Sequence, residues 1–287
     1  MEGGIVTDII VPICLALMMV GLGMTLAPED FKKVAIFPKA AITGLVFQMI
    51  VLPLTGFGLA SLFPLKPELA VGVMLLAACP GGVASNVITH LAKGDTALAV
   101  TLTIISSSLS LISIPLIVSL SLVHFMGADS SIEFSVLETV IKVFILIVPT
   151  VAFGMVLKAK APAFAGKSEK FVSLGGLIFL IVLVIGVAVN ERELLVRETA
   201  NVGPVCISLC VVTMGLGYFV SRLLAINKPQ SVSIAIGTGY QNSALALVIA
   251  TSFLKNAQIA ISPAFYTIAM YVAAPSIVGY RNIRKGE

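Results

Sequence analysis

Apolar stretches of about 20 residues recur along the whole chain, and each is long enough to cross a hydrocarbon core of about 30 Å. Hydrophobic residues make up 58% of the 287 positions and charged residues only 11%. That is too little charge to cover the surface of a soluble domain of this length. The sequence therefore predicts an all-α polytopic membrane protein. We predict nine spans, at approximately 7–27, 40–63, 69–91, 96–125, 136–157, 171–189, 199–225, 231–254 and 263–281.

Positive charge is distributed unevenly over the predicted loops. With the N-terminus outside, thirteen of the eighteen Lys and Arg residues lie on the inner side. The positive-inside rule then selects an outer N-terminus and a cytoplasmic C-terminus, in the cell (inner) membrane. The first residues lack the basic region and cleavage site of a signal peptide, so we expect the first apolar run to remain as a span. The formal net charge of +4 follows from this loop bias and does not indicate nucleic-acid binding.

Two predicted spans are interrupted near their midpoints by residues that disfavour a helix. The third span contains "CPGGVASN" at 79–86, where Pro80 lacks an N–H donor and two glycines permit an unwound backbone. The eighth contains "AIGTGYQNSALA", in which a Gly-Thr-Gly segment precedes the polar run at 240–243. Backbone groups freed at such breaks cost several kcal/mol in lipid unless they face protein, water or a ligand.

The interrupted spans are five apart in the chain, so they cross the membrane in opposite directions. This predicts two inverted repeats, a four-span repeat over 1–126 and a five-span repeat over 127–287. Half-helix N-termini that meet at the midplane can hold an anion, while unwound carbonyls and side-chain oxygens can replace the hydration shell of a sodium ion. The two breaks therefore indicate a shared binding cavity. The alternative is a pair of kinks in a packed bundle, because small residues also let helices approach closely.

The sequences of the two interrupted spans resemble the signatures of a known family. "CPGGVASNVITHLAKGDTALAVTLT" is similar to the C-P-G-G-x-x-S-N signature of the bile acid:sodium symporter family, and "GYQNSALA" to its second signature, E-x-G-x-Q-N-x-x-L-A. "GLGMTLAPEDFKKV" resembles the family's first-repeat helix and inner loop. The resemblance implies a panel domain, a core domain with two crossed discontinuous helices, and sodium-driven uptake of organic anions by alternating access.

The resemblance also implies site residues, with sodium as the only metal ion and no transition metal. A first sodium site would contain Ser85, Asn86 and Thr103, and a second would contain Gln48 and Gln241 with backbone oxygens around Thr238 and Tyr240. The substrate anion would lie near the crossing point, beside Val83, Ala84, Asn242 and Ser243.

The sequence departs from the family pattern at two further positions of the sodium sites. Ala99 stands where the family often has a serine, and Gly237 stands at the acidic position shared between the two sodium sites. A carboxylate about 4 Å from a cation is worth roughly 4 kcal/mol at an effective dielectric constant near 20. Three alternatives follow: weak sodium binding, a substrate carboxylate as the missing ligand, or loss of the ion.

We predict a secondary transporter of a small organic anion, a carboxylate or sulfonate that is either bile-acid-like or a small keto or hydroxy acid. Sodium would be the coupling ion, the lipid bilayer the surroundings, and no oligomer would be required. The alternative is a sodium-independent facilitator or channel, which Gly237 favours. An intramembrane enzyme is disfavoured, since the sequence contains neither H-E-x-x-H nor G-x-S-x-G.

Overall fold

The computed structural model describes residues 11–25, 36–127 and 136–283, and these ranges are helical apart from short connections. We number the helices in chain order. They are α1 (Val11–Thr25), α2 (Pro38–Leu62), α3 (Pro67–Ala78), α4 (Val83–Leu91), α5 (Thr96–Met126), α6 (Val136–Lys160), α7 (Pro162–Asn190), α8 (Arg192–Leu223), α9 (Lys228–Gly239), α10 (Ser243–Phe253) and α11 (Ile261–Ile283). A π-helical turn, Phe47–Val51, lies within α2, and another, Ile249–Phe253, forms the end of α10.

The helices follow the predicted intervals, and each interrupted span consists of two short helices. α3 and α4 fill the third interval, and α9 and α10 fill the eighth. The helix ends agree less well with the prediction than the helix positions do. α8 begins at Arg192, seven residues before its predicted span. Hydropathy identifies the part of a helix inside the hydrocarbon and not the charged turns outside it. Residues 7–10 and 26–27 of the first predicted span lie outside the described residues, as does the segment 128–135 that follows the predicted repeat boundary.

Within the described residues, length and hydropathy single out two uninterrupted helices that could cross a bilayer alone, α2 and α8. Helix α5 bends by 56° between Ser110 and Ile112, and its two arms together would make a third. The half-helices α3 and α9 have 12 residues each, or about 18 Å of helix. Each is too short to span 30 Å by itself, so each needs the helix beyond its break.

Three of the half-helices, α3, α9 and α10, form the centre of the molecule. In α3 every residue from Leu69 to Ala78 is buried, and in α10 every residue from Ser243 to Val248 is buried. Such all-round apolar burial is typical of a helix enclosed by other helices. The outer helices expose large apolar side chains, including Leu54, Leu116 and Phe219, as expected for surfaces in contact with lipid.

Helices α1, α6 and α7 pack mainly on one another and form a group beside the half-helices. Gly23 of α1 and Gly154 of α6 lie directly against each other in this group. A Cβ added at Gly23 would lie 2.2 Å from the carbonyl oxygen of Val151, and one added at Gly154 would lie 2.1 Å from that of Val20. Small residues thus let the two backbones touch. The group meets the other helices chiefly where α6 packs on α5 and α7 packs on α10.

Candidate functional site

The two broken spans cross at their breaks and pair there through their backbones. Gly81 and Gln241 form an isolated antiparallel bridge. The N–H of Gly82 donates to the carbonyl oxygen of Tyr240 at 2.9 Å, and the N–H of Asn242 donates to that of Pro80, also at 2.9 Å. Two unwound segments deep in an apolar protein thereby satisfy part of each other's hydrogen-bonding capacity.

The local sequence explains why each helix stops where it does. Pro80 disfavours a helical conformation for the residue before it, and Cys79 is extended, with φ −70° and ψ 151°. No proline is present at the second break, where the backbone leaves the helix at Tyr240, with φ −107° and ψ 89°. There the side chain of Asn242 caps the new helix, because its Oδ1 accepts from the N–H of Leu245 at 3.1 Å.

Each half-helix that precedes a break is tied to the region that follows the other broken span. On α3, the carbonyl oxygen of Leu69 accepts from the hydroxyl of Ser262, at the start of α11, at 2.7 Å. On α9, the hydroxyl of Ser233 donates to the carbonyl oxygen of Asp95, before the start of α5, at 2.8 Å. These ties hold both half-helices in one assembly.

The structure brings together two of the three residues predicted for the first sodium site. The hydroxyl of Thr103 on α5 donates to Oδ1 of Asn86 on α4 at 3.2 Å, and also to the carbonyl oxygen of Ala99 at 3.0 Å. Ser85 is buried beside Asn86 in the first turn of α4. The amide and hydroxyl oxygens here are neutral, hard ligands of the kind that suit sodium.

The residues predicted for the second sodium site surround the end of α9. The side-chain Nε2 of Gln241 donates to the carbonyl oxygens of Gly237 at 3.3 Å and Thr238 at 2.5 Å. Gln48 approaches the same turn from the π-helical turn of α2. The Oε1 atoms of both glutamines are buried and have no hydrogen-bond partner in the part of the chain that the structure describes. Unpaired buried carbonyl oxygens are costly, so this donor set fits a bound cation.

Gly237 lies against Gln48, whose side chain would have to move if any other residue stood at position 237. A Cβ placed there would lie 2.8 Å from Nε2 of Gln48 and 4.0 Å from Cδ1 of Leu102. The first of these atoms is the end of a flexible side chain, which can move aside. A side chain at position 237 would therefore point toward Gln48.

The four residues predicted to contact substrate lie at the starts of α4 and α10. Val83 and Ala84 form the first turn of α4. Asn242 caps α10, and the hydroxyl of Ser243 lies 3.9 Å from the sulfur of Met270. The oxygen of Asn242 is thus engaged in the fold.

Two polar groupings were not predicted from the sequence, one at the crossing and one at the far end of α3. The hydroxyl of Tyr266 on α11 donates to the carbonyl oxygen of Gly239 at 2.9 Å and so holds the last turn of α9. On α8, Glu198 is buried, and its Oε1 lies 2.9 Å from Nζ of Lys66, the residue that precedes α3. A tyrosine within an apolar segment was a signal for the first, and nothing in the sequence pairs Lys66 with Glu198.

These observations define a helical membrane protein in which two broken helices cross at a buried polar site. The family model of the Sodium Bile acid symporter family matches residues 12–198, about two thirds of the chain. The chain belongs to this family of sodium symporters.

Individual relatives agree with this assignment. The chain is 34% identical over 247 residues to an uncharacterized sodium-dependent transporter, YocS, of Bacillus subtilis, covering 84% of this chain and 74% of the relative. It is 30% identical over 268 residues to the probable sodium/metabolite cotransporter BASS1 of Arabidopsis thaliana, covering 92% and 65%. It is 29% identical over 247 residues to the human ileal sodium/bile acid cotransporter, covering 85% and 70%.

Proposed function

We propose that this protein is a secondary transporter that carries an organic anion across the cell membrane together with sodium. The substrate would be a carboxylate or sulfonate, either bile-acid-like or a small keto or hydroxy acid. The backbone bridge between Gly81 and Gln241 is the observation that carries this proposal, because it gathers four half-helix ends at one point. Two helices end there and two begin, so partial negative and partial positive poles adjoin.

In the proposed mechanism the polar side chains bind the ions and the half-helix ends orient them. Oxygens of Gln48 and Gln241, with the backbone around Thr238 and Tyr240, hold one sodium ion; Ser85, Asn86 and Thr103 contribute to the other. The anion lies at the start of α4. The whole chain would form nine spans in two inverted repeats, with the N-terminus outside.

Alternating access would follow from movement between two groups of helices. We propose that α1, α6 and α7 are the panel and that the remaining helices are the core. A crosslink between α7 and α10 should stop uptake, and a crosslink within the panel, between α1 and α6, should not. Uptake that survives the first crosslink would rule out this motion.

The test of transport is uptake of radiolabelled cholate and of radiolabelled pyruvate into proteoliposomes. We expect an inward sodium gradient to raise uptake of one of them at least tenfold over an equal gradient of N-methyl-D-glucamine. Gln48→Met should abolish this stimulation, because it removes an unpaired ligand oxygen. Gln258→Met is the matched control, since Gln258 is exposed and lies outside the crossing. If both variants lose stimulation equally, the assignment of Gln48 is wrong.

The second candidate is a sodium-independent facilitator for the same anions. The neutral character of the crossing favours it, since Gly237 places no carboxylate there. A facilitator would give uptake that ignores the sodium gradient and no uptake of radioactive sodium with the anion.

A further inference from the structure

The crossing has two electrical poles, but the described residues place no fixed charge there to match a bound ion. α3 and α9 end there, and the carbonyl ends of helices carry a partial negative charge. α4, which has nine residues, begins there, and its first N–H groups carry a partial positive charge. A cation fits the first pole and an anion the second.

The polar side chains around the crossing are amides and hydroxyls, and all are neutral. The acidic groups of the described part lie elsewhere. Asp95 precedes Thr103 by eight residues, or about 12 Å along α5, and its carboxylate accepts from the N–H of Leu98 and from the amide of Gln230. Glu198 is paired with Lys66. A lone sodium ion at the crossing would therefore be a buried charge without a counter-charge, which is unfavourable.

We infer that sodium binds at the crossing as an ion pair with the carboxylate of the transported anion, and that neither ion binds well alone. This inference rests on the proposed function and adds the source of the missing charge. Gln48 and Gln241 are only 1% and 2% exposed, and their buried Oε1 atoms have no hydrogen-bond partner among the described residues, so both oxygens are available as ligands. One carboxylate oxygen completes the sodium shell, and the other lies at the start of α4.

Gly237 is the residue that makes this dependence possible. The Cβ position at 237 lies 2.8 Å from Nε2 of Gln48, so a longer acidic side chain would enter the same space and displace that flexible amide. Such a side chain would provide a fixed charge next to the cation. At a separation of about 4 Å and an effective dielectric constant near 20, it would tighten sodium binding on the order of a thousandfold.

Mutual dependence has a quantitative signature. If the anion tightens sodium binding by some factor, sodium must tighten anion binding by the same factor. A fixed carboxylate at position 237 would remove the need for the anion and would reduce that factor toward one.

The experiment measures sodium binding to the purified full chain by calorimetry and by the shift in its thermal midpoint. Sodium chloride is compared with N-methyl-D-glucamine chloride, alone and with the N-methyl-D-glucamine salt of cholate or pyruvate. Wild type, Gly237→Glu and Gly237→Gln are tested, the last being the neutral control of equal size. We expect wild type to respond to sodium only with a carboxylate present, Gly237→Glu to respond in chloride alone, and Gly237→Gln not to do so.

Three results would overturn the inference, and they differ in what they leave standing. A wild-type response in chloride that neither carboxylate increases would show that neutral ligands suffice, and sodium symport would stand. A response of Gly237→Glu alone, with wild type silent under every condition, would refute pairing and favour the facilitator. If neither protein responds, the sodium site itself is wrong, and the proposed symport fails with it.

Discussion

The two broken spans share one arrangement, two half-helices joined by a short unwound segment, but they are held by different chemistry. The first break contains Pro-Gly-Gly, which offers no polar side chain, and Asn86, in the helix that follows the break, bonds across to Thr103 on another helix. At the second break, Gln241 and Asn242 bond to backbone groups of their own segment. The first broken span therefore depends on its neighbours, whereas the second carries more of its own support.

The half-helices before the breaks differ in the same way. α3 packs against backbone at Gly72 and is preceded by Lys66, which forms an ion pair with α8. α9 begins with a side-chain cap from Asn227, whose Oδ1 accepts from the N–H of Gln230 at 2.9 Å. The start of α3 is thus held by a distant ion pair and that of α9 by a local cap, although α9 is also tied to distant residues through Ser233 and Tyr266.

The largest expected effect on stability is that of Gly72→Ala. The new Cβ would lie 2.2 Å from the carbonyl oxygen of Ile259, so the backbone of α3 or of the loop must move. We expect a loss of about 3 kcal/mol. The measurement is thermal unfolding in detergent, followed with a fluorogenic thiol reagent that reacts when the buried cysteines become accessible.

Gly94→Ala is the matched change beside α9. Its Cβ would meet Cγ2 of Thr89 at 2.6 Å and the hydroxyl of Ser233 at 3.0 Å, both at the ends of side chains. Side chains can rotate more easily than backbone can shift, so we expect a loss of about 1 kcal/mol. Equal losses for Gly72→Ala and Gly94→Ala would contradict the proposed difference between the two spans.

Glu198→Gln should have the next largest effect. The carboxylate is buried and accepts from Lys66, from Nε of Arg197 at 3.2 Å and from Nδ2 of Asn201 at 3.3 Å. Removing its charge leaves the ammonium of Lys66 without its partner, but Lys66 is partly exposed and water will screen it. We therefore expect a loss of about 2 kcal/mol in the same unfolding assay. Glu193→Gln, at an exposed position on the same helix, should change stability much less.

Asn227→Ala should have a small effect, similar to that of Gly94→Ala. It removes one exposed helix cap at the start of α9, which is worth about 1 kcal/mol. Asn227→Asp retains an acceptor oxygen and should remain close to wild type. If Asn227→Ala lowers the thermal midpoint more than Glu198→Gln does, the local cap stabilises the protein more than the distant ion pair, and the expected order of the two effects is wrong.

The positions of the two helix breaks could be predicted from the sequence, because the residues that interrupt a helix do so locally. Pro80 and the glycines beside it located the first break, and the polar run after Gly239 located the second. Their opposite directions predicted that they would meet, and the bridge between Gly81 and Gln241 joins them.

What could not be predicted depends on tertiary packing. The proximity of Gln48 to position 237 arises from a π-helical turn in α2 and its packing on α9. The burial of Glu198 results from its contact with Lys66, 132 residues earlier in the chain, and hydropathy treats both simply as charges near span ends. Pairings of this kind are set by the assembled fold, and no local pattern encodes them.

The backbone bridge also constrains the order of events during biosynthesis. Gln241 follows Gly81 by 160 residues, which a ribosome adds in about 8 to 30 s at roughly 5 to 20 residues per second. Throughout that interval the carbonyl of Pro80 and the N–H of Gly82 lack the partners they have in the finished protein. Because lipid cannot satisfy them, the nascent first half must keep this segment in contact with water or with the insertion machinery until the second half arrives.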